Sequence, residues 1–96
     1  MKGKQKRHLR SLAMTEQPIF QIGKGGVNDN LIQQLKDALE ARELIKIRVL
    51  NNCDYTAKEL GPVLAEETAS ELVQVIGHNI VLYRRSTKKP KIELPE

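Results

Sequence analysis

The chain has 96 residues, with 16 Lys+Arg against 12 Asp+Glu and a formal net charge of +4. Its length supports one domain with one core, and an apolar fraction of 40% argues for a packed fold rather than disorder. Cys53 is the single cysteine, which excludes an internal disulfide and a multi-cysteine zinc site; no apolar run approaches the ~18–20 residues of a membrane helix, and no apolar segment follows the charged N-terminus as in a secretory signal. We therefore expect a cytoplasmic protein with a single domain over residues 1–96.

Leu9, Leu12 and Ala13 recur at helical spacing among basic residues and predict a basic N-terminal helix at about 4–14. Pro18 closes the connection to a first strand at 19–22, Ile19-Phe20-Gln21-Ile22. Gly23-Lys24-Gly25-Gly26 follows, and Asn28 is placed as the N-cap of a helix at 29–42 with Asp29 in its first turn. Leu31, Ile32, Leu35, Ala38 and Leu39 form its apolar stripe. In the strand at 44–50, Ile45, Ile47 and Val49 share one face while Lys46 and Arg48 share the other. That alternation predicts a sheet with helices on one face and a wetter, basic opposite face.

Asn51, Asn52 and Asp54 offer turn and cap chemistry before a helix at about 55–68. Gly61-Pro62 interrupts its apolar pattern: the helix kinks there, or a second helix begins with Pro62 at its first position. Strands at 72–76 and 80–83 flank Gly77-His78-Asn79 as a hairpin, and a basic, proline-punctuated tail occupies about 85–96. The order α-β-α-β-α-β-β predicts an α/β (α+β) two-layer sandwich over a mixed four-stranded sheet.

Charge is unevenly placed. Residues 1–14 hold Lys2, Lys4, Lys6, Arg7 and Arg10 with no acid, and residues 84–91 hold Arg84, Arg85, Lys88, Lys89 and Lys91 with no acid. The acids fall almost wholly between them. Two basic ends around an acidic body make a footprint for a polyanion, although solvated tails are the plainer explanation. The glycine turn tips the balance. Missing side chains let another backbone approach, and the N–H groups opening the next helix favour negative charge. Lys24 sits inside that turn, which otherwise is only a tight connection.

Chemistry finds little support. His8 and His78 lie in the basic arm and the hairpin turn, and Cys53 beside Asp54 has no evident activating histidine. Glu66, Glu67 and Glu71 read as a solvated helix end rather than a metal site, and the turn lacks the spacing of a nucleotide-binding P-loop. Neither enzyme nor cofactor is expected. Aromatics are only Phe20, Tyr55 and Tyr83, so backbone and shape are the expected grip rather than base stacking. A KH domain carries its Gly-x-x-Gly loop between two helices and fits poorly.

Taken together, Leu9-x-x-Leu12-Ala13, Gln21-Ile22-Gly23-Lys24-Gly25-Gly26, Glu43-Leu44-Ile45-Lys46-Ile47 and Val73-Gln74-Val75-Ile76-Gly77 with Ile80-Val81-Leu82-Tyr83-Arg84 resemble the CRM domain family. The likeness is to its stand-alone bacterial YhbY-like members and runs from about residue 4 to 94. It implies RNA binding on precursors of the large ribosomal subunit, a Gly-x-x-Gly loop at Gly23 to Gly26, and a fold similar to the C-terminal domain of translation initiation factor three. Candidate RNA-contacting residues are then Gly23, Lys24, Gly25, Gly26, Asn28, Lys4, Lys6, Arg7, Arg10, Lys46, Arg48, Arg84, Arg85, Lys88 and Lys89 in a monomer. An RNA chaperone or translation-associated factor on other RNAs is the alternative, and a protein-interaction adaptor is the rival of another class.

Overall fold

The alternation at residues 44–50 organises the molecule. In the computed structural model, which describes residues 1–96, this segment is the strand β2 (Leu44–Val49), following α1 (Gly3–Ala13), β1 (Phe20–Ile22) and α2 (Asp29–Arg42). Next come α3 (Ala57–Glu67), β3 (Glu71–Ile76) and β4 (Asn79–Tyr83). The sheet order is β1-β2-β4-β3, with β1 parallel to β2 and the other neighbours antiparallel. The expected element order and mixed four-stranded α+β sheet are borne out.

Ile45, Ile47 and Val49 face α2 and α3, where they join Leu35, Leu39, Leu60, Leu64, Ile80 and Leu82 in the main core. The opposite face is not simply wet. Leu44, Val81 and Tyr83 point that way and are covered by Leu9 and Ala13 of α1, with Ile92 and Leu94 of the C-terminal segment packed alongside. Leu9 is fully buried, so the basic N-terminal helix spends its one apolar edge on the sheet. A bulge between Leu72 and Gln74 buries Val73 under α1 and leaves Gln74 free to line a cleft.

Pro62 does not split the third helix. Residues 57–67 form one α-helix with Pro62 inside it, and Pro62 and Lys58, whose carbonyl loses a partner, are both exposed to water. Gly61 is the closer constraint. A Cβ there would lie 3.0 Å from Val75 Cγ2 and 3.1 Å from Leu72 Cδ1, so the missing side chain lets α3 settle onto β3. The cap of this helix is Thr56 rather than Asn51, Asn52 or Asp54. The Thr56 N–H donates to Glu59 Oε1 at 3.0 Å and the Glu59 N–H donates to Thr56 Oγ1 at 3.1 Å, a reciprocal capping box.

The C-terminal segment is docked, which corrects its reading as a free tail. Glu43, just past α2, has φ 68 and is fully buried despite its charge. Its Oε2 accepts the Ser86 N–H at 2.8 Å, while Oε1 accepts those of Lys91 at 2.6 Å and Ile92 at 2.8 Å. One turn earlier, Glu40 accepts the Thr87 N–H at 2.9 Å and the Thr87 hydroxyl at 2.8 Å, together with the Ser86 hydroxyl. Two carboxylates therefore clip the segment to the end of α2.

Candidate nucleic-acid interface

Strand directions decide where the loops meet. Because β1 and β2 are parallel, the turn after β1 and the loop after β2 leave the sheet at the same end. Antiparallel pairing of β4 with both neighbours brings the Gly77-His78 turn to that end as well. The Val49 N–H donates to the His78 carbonyl at 2.7 Å, joining two of the three loops.

The glycine turn is closed by the Gly26 N–H donating to the Gly23 carbonyl at 2.9 Å. Gly26 sits at φ 66, in the left-handed region that disfavours other residues. An added Cβ at Gly25 or Gly26 would meet nothing within 4 Å, so this side of the turn is open. Gly23 instead backs onto the β2–α3 loop, where a Cβ would lie 3.3 Å from Asn52 Oδ1. Lys24 is exposed. Asn28 is committed locally: its Oδ1 accepts the Leu31 N–H at 2.8 Å as the N-cap of α2. Asn28 is thus a positioning residue for the turn.

On the sheet face away from α2 and α3, α1 and the uncovered part of the sheet border a cleft of about 680 Å³. Arg7 and Arg10 line it from α1, Lys46, Gln74 and Asn79 from the sheet, and no carboxylate contributes to its wall. Ser11, Ala13, Met14 and Ile76 complete it. Arg48 lies one pleat beyond Lys46 on the same face, paired in register with Gln21 of β1 and Asn79 of β4, and is exposed. Arg7, Arg10 and Lys46 thus share the cleft, while Lys24 lies in the turn and Arg48 on the sheet face. Spacing alone did not bring Arg7 and Arg10 to Lys46; the packing of Leu9 and Ala13 did.

The remaining candidates separate from this group. Arg84 has its guanidinium engaged: Nη1 donates to the Thr68 carbonyl at 3.0 Å and Nη2 to the Lys36 carbonyl at 3.1 Å. It ties α2 and α3 to the end of β4. Arg85, Lys88 and Lys89 are exposed but ride on the segment clipped to Glu40 and Glu43. That is the far end of α2 from the glycine turn, about 20 Å away at 1.5 Å per residue. Lys4 and Lys6 lie in the first turns of α1 beside Gln5, whose Nε2 donates to the Pro95 carbonyl at 3.1 Å. Neither lines the cleft.

Tyr55 was the residue underestimated. Phe20 is partly buried against the main core and Tyr83 is 5% exposed, whereas Tyr55 is 56% exposed at the loop end. Cys53 and His78 border one hollow beside it. No group of three His, Cys, Asp or Glu side chains is placed to hold a metal ion, and no helix is long and apolar enough to cross a membrane.

The CRS1/YhbY (CRM) domain model matches residues 1–84, nearly the whole chain. The chain belongs to the CRM domain family. It is 56% identical over 93 residues to the Bacillus subtilis protein named "Probable RNA-binding protein YqeI", covering 97% of both chains. A Haemophilus influenzae relative named "RNA-binding protein" is 36% identical over 92 residues, covering 96% of this chain and 92% of its own. The solution structure of a Staphylococcus aureus protein matches with a TM-score of 0.82 and 60% identity, over 99% of each chain. In this CRM domain the glycine turn and the exposed tyrosine share one end of the sheet, and the basic cleft lies over the face that α1 covers.

Proposed function

We propose that this protein is a non-enzymatic RNA-binding factor that associates with precursors of the large ribosomal subunit. The observation that carries the RNA part is the acid-free cleft lined by Arg7, Arg10 and Lys46, to which the open glycine turn adds the exposed Lys24. Cations held along a groove follow a phosphodiester backbone, and a turn without side chains lets that backbone come close. The names of its relatives agree with RNA as the partner. The ribosomal part follows from the family resemblance.

Lys24→Glu tests the turn. The side chain is exposed, so the substitution empties no core and places repulsion at the proposed phosphate position. Unchanged circular dichroism with RNA affinity reduced roughly tenfold is expected, two 0.7-unit electrostatic contributions at 0.15 M salt being lost or reversed. Equal affinity would remove the turn from the interface. Gradient sedimentation of the tagged protein tests the ribosomal part. Comigration with particles lighter than the mature large subunit, lost after nuclease treatment, is expected; a protein that stays at the top of the gradient refutes it.

Cys53→Ser provides the check on catalysis. The thiol is partly buried beside the main core and the residue shares a hollow with His78. RNA association unaffected by the substitution is expected, with no RNA cleavage or nucleotide hydrolysis by either form. Turnover that disappears with the thiol would make the protein an enzyme.

A further inference from the structure

The loop end carries an apolar surface that a backbone grip leaves unused. Val27, Tyr55, Leu60 and Val63 line a groove of about 400 Å³ together with Glu59. It begins where the glycine turn ends, since Val27 directly follows Gly26. Tyr55 and Val63 are 56% and 46% exposed, among the few large apolar side chains left to water. Tyr55 also borders a second hollow, of about 310 Å³, shared with Asn51, Lys58 and His78. One aromatic side chain thus stands as a ridge between two hollows beside a turn shaped for phosphates.

We propose that Tyr55 is the stacking platform of a single-stranded RNA subsite, with an unpaired base seated in the groove against Val27, Leu60 and Val63. This rests on the RNA-binding reading above and adds base contact to it. A strand whose phosphates lie on the glycine turn has its bases within reach of the adjoining apolar groove, which accepts one of them. A base is apolar on its faces and polar on its edge, which suits a groove with one polar group. That group is Glu59. Both Thr56 bonds fall on its Oε1 and hold the carboxyl below its usual range, so it stays ionised and keeps accepting capacity for an exocyclic amine. Duplex RNA hides its base faces and gains nothing here.

Octaadenylate supplies the amine and serves as the probe, with an abasic octamer of the same charge as its control. The chain has two tyrosines and no tryptophan, so in Tyr83→Phe the fluorescence of Tyr55 is read alone. Its quenching by octaadenylate but not by the abasic strand is expected. Tyr55→Ala is expected to weaken octaadenylate about tenfold, in line with the loss of one stacked base. Tyr55→Phe should bind as the wild type does, and the abasic octamer should bind all three alike. Equal octaadenylate affinity in the wild type and Tyr55→Ala overturns the proposal and leaves the groove to a protein partner. An equal loss for the abasic strand overturns it too, by making Tyr55 a backbone contact. If the wild type binds neither strand, the RNA-binding reading itself fails, an outcome distinct from both.

Discussion

Neutralising Arg7, Arg10 and Lys46 together, each to Gln, is expected to weaken RNA binding about 50-fold at 0.15 M salt. The proposed interface has five cations, these three with Lys24 and Arg48, and single-stranded RNA releases about 0.7 counterions per phosphate neutralised. The wild-type slope of log affinity against log salt should then lie near −3.5, which is about a hundredfold between 50 and 200 mM. Removing three cations should leave a slope near −1.4. None of the three is buried, so the fold should survive. Lys88→Gln with Lys89→Gln is the matched control. Those charges ride at the far end of α2, about 20 Å from the glycine turn, and take no part in the cleft wall. A short oligonucleotide held at the loop end should scarcely register their loss. A slope that follows the tail lysines instead, and ignores the cleft, would move the interface to the opposite end.

Glu43→Ala is expected to destabilise the protein by about 2–4 kcal/mol and to release residues 86–96 to protease, because three backbone N–H donors lose their acceptor at once. Ser86, which donates one of the three bonds, is itself buried. Ile92 and Leu94 would leave the α1 cluster with the segment. Truncation after Arg85 should therefore also cost stability. In the truncated protein Glu43→Ala should cost far less, since the donors it served are gone. Additive losses would show that the carboxylate does not act through the segment.

Acid should undo the same clip. Burial raises the Glu43 carboxyl, but the N–H donors of Ser86, Ile92 and Lys91 and the charge of Arg85 outweigh it and hold it below its usual value. Glu40, bonded by the Ser86 and Thr87 hydroxyls, falls from 4.5 to about 2. Carboxyls lowered on folding stabilise above their unfolded value, and that contribution is lost as pH falls through the folded one. Protection of the segment against amide exchange should thus be complete at neutral pH and decline only below about pH 4.5, toward 2. Glu43→Ala should abolish that pH dependence for the Lys91 and Ile92 amides.

Local pattern determined much of this protein. The 3.6-residue stripe of Leu31, Ile32, Leu35 and Leu39 fixed α2, and the two-residue alternation of Ile45, Ile47 and Val49 fixed β2, because burial of one face rewards each period directly. Glycines at a strand-to-helix junction marked the turn, since Gly26 occupies a backbone region closed to most residues. The capping box at Thr56 and Glu59 is equally legible, as a Thr-x-x-Glu spacing ahead of an apolar run, although Asn51, Asn52 and Asp54 offer competing cap chemistry just before it.

Tertiary structure alone decided which charges work together. Arg84 and Arg85 are neighbours in sequence, yet one guanidinium is bound to carbonyls of two helices while the other side chain is exposed. The basic runs at the two ends look equivalent as composition. Burial of Leu9 and Ala13 carries Arg7 and Arg10 to Lys46, whereas Glu40 and Glu43 fasten the C-terminal run about 20 Å from the turn. A charged side chain has no period that reveals its neighbours, because its place is set by what the apolar residues beside it can bury.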